Sequence, residues 1–273
     1  MRLGISNIAW DPRDDEALAT LLRSHEIDAI DIAPGKYFPT PENATEVEVG
    51  KLRAWWRARG IEITGMQALL FGTSGLNIFS DDAVQGAMLE RLRAVCRIAG
   101  LLGAPRLVFG SPRNRDRGDL DEGVALRIAS EFFRRLGDIA RHEGVLICLE
   151  PNPERYGCNF MTTGQETARV VSTVDHPAIC MQLDTGAMHI SGEDVGSFLA
   201  QHADLIGHIH ASEPGLVPLG DGGVSHQDIA HAIWAKLPNA TVTVEMLEVR
   251  DEPVEVAIDR ALRVAKLAYG AQR

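Results

Sequence analysis

Eight short apolar, β-branched runs recur along the chain and alternate with segments of helical spacing, a recurrence that leaves few folds open. The runs are Arg2–Asn7, Ala29–Ala33, Glu62–Leu70, Arg106–Gly110, Val145–Glu150, Cys180–Asp184, Ile206–Ala211 and Thr241–Met246. Between them, Asp14–Glu26, Asp81–Gly103, Asp121–Gly144 and Glu255–Tyr269 repeat apolar side chains at helical intervals. Eight strands, each followed by a helix, is the count of an α/β (β/α)8 TIM barrel. The 273 residues suit the roughly 250 of one such barrel. The rival is an open doubly wound sheet, which carries a glycine fingerprint after its first strand. Here that position reads Ser6-Asn7-Ile8-Ala9-Trp10-Asp11-Pro12, and no phosphate-binding P-loop occurs anywhere. A single domain over 1–273 is therefore expected.

Composition narrows the function classes. No apolar run reaches the roughly 18–20 residues of a membrane span. Met1-Arg2-Leu3-Gly4-Ile5-Ser6-Asn7 reads as a strand rather than a secretory leader, so the expected location is cytoplasmic. Cys96, Cys148, Cys158 and Cys180 form no CxxC pair, which argues against a disulfide scaffold or structural zinc. A formal charge of −11 repels phosphate backbones, so no nucleic-acid partner is expected.

In a barrel of this kind the chemistry sits at the C-terminal strand ends. Four late strands end in metal-ligand residue types: Cys148-Leu149-Glu150, Gln182-Leu183-Asp184, His208-Ile209-His210 and Thr243-Val244-Glu245. Side chains alternate faces along a strand, and the intervening Leu149, Leu183, Ile209 and Val244 are all apolar. Glu150, Asp184, His210 and Glu245 therefore point into the barrel. One polar strand end is ordinary rim polarity; four in succession are not. Three converging carboxylates repel unless a cation or shared protons compensate. Three oxygen ligands and one imidazole suit an octahedral ion. Mn²⁺, Mg²⁺ and Co²⁺ are all such ions, and raw affinity keeps Zn²⁺ among the alternatives.

At these residues the sequence resembles the xylose isomerase-like TIM barrels, which include sugar isomerases and epimerases, inosose dehydratases and endonuclease IV. In the ketose 3-epimerase branch a Glu, an Asp, the second His of His-x-His and a final Glu bind one divalent ion. The resemblance carries these roles to Glu150, Asp184, His210 and Glu245. It implies a small sugar or sugar-derived substrate, with Glu150 and Glu245 as the catalytic pair exchanging a proton beside a carbonyl through a metal-stabilised cis-enediolate. It also implies a homo-oligomer, since members are often dimers or tetramers. Two positions depart from the family pattern. A His three residues after the strand-six Asp is Ala187 here, with His189 two residues further on. An Arg after the strand-seven His is replaced by Pro214-Gly215-Leu216.

The resemblance leaves two alternatives: an inosose-type dehydratase or lyase that enolises and then expels a hydroxyl, and a degenerate barrel kept as a binding subunit. A nuclease is disfavoured, because strands three and four end in Gln67-Ala68 and Gly110-Ser111 without the histidines of a three-metal cluster. Substrate contacts are expected from Trp10, Lys36 and Gln67 after the first three strands. Asn152, Arg155 and Tyr156 join them from the proline-stiffened loop after Glu150, as do His189 and Glu213. Arg113 and Arg115, in the polar Ser111–Asp121 insertion, are candidates for an anionic group or members of an exposed basic loop. The Gly220-Asp221-Gly222-Gly223 segment reads as turn geometry, with Ser225 as a helix cap, and His208 as a deeper interior histidine.

Overall fold

A computed structural model describes residues 1–270. Its eight strands are β1 (Arg2–Ser6), β2 (Ala29–Ile32), β3 (Glu62–Met66), β4 (Arg106–Phe109), β5 (Leu146–Leu149), β6 (Ile179–Asp184), β7 (Ile206–Ser212) and β8 (Thr241–Glu245). All neighbours pair in parallel, and β1 closes on β8 with Leu3 opposite Val242 and Ile5 opposite Val244. The chain is a single-domain (β/α)8 barrel, as the eightfold recurrence predicts.

The outer layer is formed by α1 (Asp15–Ser24), α2 (Glu46–Ala58), α3 (Asp82–Leu102), α4 (Glu122–His142), α5 (Gly164–Val174), α6 (Thr185–Ser191), α7 (Val195–His202), α8 (His226–Lys236) and α9 (Val254–Tyr269). Local chemistry sets their ends. The Asp81 carboxylate accepts the Val84 N–H at the start of α3, and Gly103, at φ 76°, terminates it. Two helices follow β6, one more than the repeat predicts, because Gly192 in the left-handed region stops α6 and Asp194 caps a fresh start at α7. Ser225 does stand before α8, but its hydroxyl binds Asp228 rather than a backbone N–H.

Strand β3 stops at Met66, short of the expected Leu70, because Ala68 takes a positive φ of 53° that no pleated strand accommodates. Leu149, Leu183, Ile209 and Val244 are at most 1% exposed and join the core between sheet and helices, as alternation requires. Two register shifts, at Ile30/Asp31 and Met181/Gln182, set Asp31 opposite Gly65 and Asp184 opposite His210. Trp56, Met66 and Met181 are core residues, all four cysteines are free, and among the described residues no helix is long and apolar enough to cross a membrane.

Candidate metal and active site

Glu150, Asp184, His210 and Glu245 converge at the C-terminal mouth, each offering a ligand atom within 4.8 Å of the others. His210 Nδ1 lies 3.3 Å from Glu245 Oε2 and 3.8 Å from Glu150 Oε1, yet neither ring nitrogen makes a hydrogen bond, although the residue is fully buried. Asp184 doubles as the cap of α6: its Oδ1 accepts the Ala187 N–H at 2.6 Å, and the Ser212 hydroxyl reaches both its oxygens at 2.8 Å. Room for the acids comes from missing side chains. A Cβ on Gly110 would collide with Glu150 Oε2, and one on Gly65 with Asp31 Oδ1.

The electrostatics are those of crowded acids. Burial, then the charges of Glu245 and Asp184, push Glu150 up to about 8. Burial, then Glu245, push Asp184 up to about 7. Burial works to lower His210, but Glu245, Asp31 and Glu150 overcome it and raise the imidazole well above its ordinary value. Burial works upward on Glu245 as well, and His210 and Gln67 hold it below the usual carboxylate range. Three carboxylates around an imidazole nitrogen with no hydrogen bond can hold a cation, and a cation relieves their repulsion.

Asp31 lies beneath this cluster. Its Oδ2 is 2.6 Å from His208 Nε2 and 3.6 Å from His210 Nε2, making a second buried group of Asp31, His208 and His210. His208 is the deep interior histidine that the sequence suggests. The sequence motifs do not single out Asp31; the signal for it is a lone acid inside the otherwise apolar β2, where every residue is buried.

A description of xylose isomerase-like TIM barrels matches residues 19–267 of the chain. The chain belongs to that family. It is 28% identical over 129 residues to D-psicose 3-epimerase from Ruminiclostridium cellulolyticum, covering 47% of this chain and 42% of that enzyme, so it matches less than half the length of this curated relative. The crystal structure of D-psicose 3-epimerase with D-tagatose from Clostridium cellulolyticum H10 aligns with a TM-score of 0.82 at 19% identity, over 99% of this chain and 100% of that one. The IolI protein with a zinc atom aligns at 0.77 and 18% identity, over 98% of each chain. These structural likenesses speak to the fold.

In this xylose isomerase-like barrel the other sequence candidates are placed unevenly. Gln67 and Asn152 reach the acids: Gln67 Nε2 donates to Glu245 Oε1 at 2.6 Å, and Asn152 Nδ2 to Glu150 Oε2 at 3.3 Å and Gly110 O at 2.9 Å. Trp10 is a core side chain, 1% exposed, whose indole N–H donates to Asp15, so no free ring face stacks on a sugar. The Lys36 ammonium donates to the carbonyls of Asn7 and Trp10 and braces two loops. Tyr156 Oη accepts the Gly215 N–H at 2.7 Å, tying the loops after β5 and β7 together, while Arg155 is exposed beside it.

His189 stands exposed in the last turn of α6, outside the acid cluster. Glu213 is 1% exposed and turned into the glycine loop, where its oxygens accept the Gly220 and Val224 N–H groups and meet His226. That buried carboxylate takes the N–H groups a phosphate would need, so the glycines serve the turn. Arg113 is exposed, but Arg115 departs from both readings of the basic loop. It is fully buried, donating to Glu150 O at 2.6 Å and Gly110 O at 3.1 Å, because its guanidinium satisfies the carbonyls at the ends of β4 and β5.

Proposed function

We propose that the chain is a divalent-metal-dependent sugar epimerase or isomerase working by proton transfer beside a carbonyl. The observation that carries this is His210 Nδ1, which makes no hydrogen bond and is set 3.8 and 3.3 Å from Glu150 and Glu245, with Asp184 completing the set. Similarity to D-psicose 3-epimerase supports the sugar substrate. The donors fit a divalent ion: Glu150, Asp184, His210 and Glu245 would hold it, with Mn²⁺ preferred for an oxygen-rich set and Zn²⁺ the competitor. Such an ion supplies charge that lowers the barrier to removing the proton next to the substrate carbonyl.

The chain's own groups do the rest. One of Glu150 and Glu245 accepts the carbon-bound proton on a carboxylate oxygen, leaving an enediolate, and the other returns a proton to the opposite face or the neighbouring carbon. Gln67 and Asn152 orient those carboxylates through their amide N–H groups. Asp184, clamped by Ser212 and the α6 N-terminus, stays in place as a non-transferring acid.

The test is incorporation of solvent deuterium into D-psicose, D-tagatose and L-ribulose by the Mn²⁺-loaded protein. Exchange with conversion to an epimer is expected, and Glu245→Gln should abolish it while the fold is retained. Loss of water from an inosose without epimer formation would favour a dehydratase instead. Absence of Mn²⁺ binding in titration would favour a degenerate barrel.

A further inference from the structure

Gln67 carries an imbalance that the metal cluster does not explain. Its amide nitrogen donates to Glu245 Oε1, and since an ionised carboxylate only accepts, this fixes which end of the amide is which. The amide oxygen is then left buried with no hydrogen-bond partner, in a residue only 6% exposed. Buried polar atoms are rarely left unpaired, and those that are mark places where a ligand or water completes the set. The backbone holds the side chain firmly: the Gln67 N–H still donates to Ile32 O at 3.0 Å, and the left-handed Ala68 turns the chain away immediately afterwards. An acceptor beside three carboxylates takes a neutral or cationic donor, and the hydroxyls of a sugar are neutral donors. An ionised phosphate or carboxylate on the ligand would offer it no proton and would be repelled.

We propose that Gln67 is a positioning and specificity-determining residue of this site: its amide nitrogen fixes the Glu245 carboxylate, and its amide oxygen accepts a hydrogen bond from a hydroxyl of the bound sugar. The proposal deepens the epimerase reading and rests on it. The one side chain thereby couples recognition of a hydroxyl to the aim of a proton-transferring carboxylate, across the mouth from β3 to β8.

The experiment compares the wild type with Gln67→Met, Gln67→Leu and Gln67→Glu, using Mn²⁺ titration followed by electron paramagnetic resonance and deuterium exchange into D-psicose and its 4-, 5- and 6-deoxy analogues. In the wild type one deoxy analogue should lose about tenfold to a hundredfold in kcat/KM, the scale of leaving a buried acceptor unpaired. In Gln67→Met and Gln67→Leu that loss should shrink to within about twofold while the other analogues keep theirs, kcat for D-psicose should fall, and Mn²⁺ should bind about tenfold more weakly. Gln67→Glu keeps an acceptor and loses the donor, so it should preserve the deoxy discrimination while losing the hold on Glu245. Undiminished deoxy losses in both apolar variants would mean that water, not sugar, meets the oxygen, and would overturn the specificity role. Unchanged Mn²⁺ affinity and kcat would overturn the positioning role. A wild type that binds Mn²⁺ but exchanges deuterium into no ketose would overturn the epimerase reading and the hydroxyl contact with it, while the Mn²⁺ arm still decides the hold on Glu245.

Discussion

Asp31 Oδ2 lies 2.6 Å from His208 Nε2, a carboxylate–imidazole hydrogen bond sealed inside the barrel with side-chain exposures of 1% and 2%. Burial raises the carboxyl, but His208 and His210 outweigh it and hold it well below the usual range. Breaking such a pair from one side leaves an uncompensated buried group. Asp31→Ala should therefore cost about 3–5 kcal/mol of stability in urea unfolding. Asp31→Asn, which can still bond His208, should cost less. Equal stability of Asp31→Ala and wild type would show that the pair carries no structural role.

Without a metal, the raised carboxyls make stability depend on pH in a definite direction. Glu150, pushed up to about 8, and Asp184, to about 7, keep protons in the folded chain that the unfolded chain has already released. Stability should therefore fall as pH rises from about 5 to 8, by on the order of 1.4 kcal/mol per unit for each group still titrating. The raised His210 acts in the same direction above its ordinary value, whereas Asp31 and Glu245, both lowered, contribute only at acid pH. Chelator-treated protein should melt at lower temperature at pH 8 than at pH 5.5, and Mn²⁺ should reverse the loss at pH 8 with release of protons.

Glu150→Gln removes one of the repelling charges but also one of the proposed ligands. The metal-free variant should be more stable than wild type at pH 8, by about 0.5–2 kcal/mol, and should bind Mn²⁺ more weakly. Differential scanning calorimetry with and without Mn²⁺ separates the two effects. A variant destabilised in both states would contradict the crowding account.

Gly110→Ala should disturb Glu150 directly, since the new methyl group would occupy the space of its Oε2. Because Asn152 and Arg115 hold the loop around Glu150 through its own polar atoms and the Gly110 carbonyl, the collision falls on the carboxylate more than on the fold. Mn²⁺ affinity should drop at least about tenfold, with a change in melting temperature of only a few degrees. Isothermal titration calorimetry checks it; unchanged affinity would mean that Glu150 has another place to stand.

Much of the barrel is legible in the sequence, because strand and helix periodicity are local properties. Alternation about Leu149, Leu183, Ile209 and Val244 is enough to send Glu150, Asp184, His210 and Glu245 to one interior, and there they meet. The sequence misleads where a side chain's partner is set by how the loops fold rather than by local periodicity. Trp10 and Lys36 resemble pocket residues until Asp15 and two backbone carbonyls claim them. Arg115 resembles an exposed loop cation until the carbonyls of Gly110 and Glu150 surround it.

The order of residues alone determined an eight-stranded closed sheet and four ligand-type strand ends, since a period of two in apolar side chains admits only one inward face. Only the folded chain decided that Asp31 stands under His210, that register shifts set Asp31 opposite Gly65 and Asp184 opposite His210, and that Gln67 spans from β3 to Glu245. Those relations join positions as many as 179 and 178 residues apart (210 − 31 and 245 − 67), and no local preference encodes them. They follow from closing the barrel, which places strand ends opposite one another and leaves each buried polar atom to find whichever partner the closure supplies.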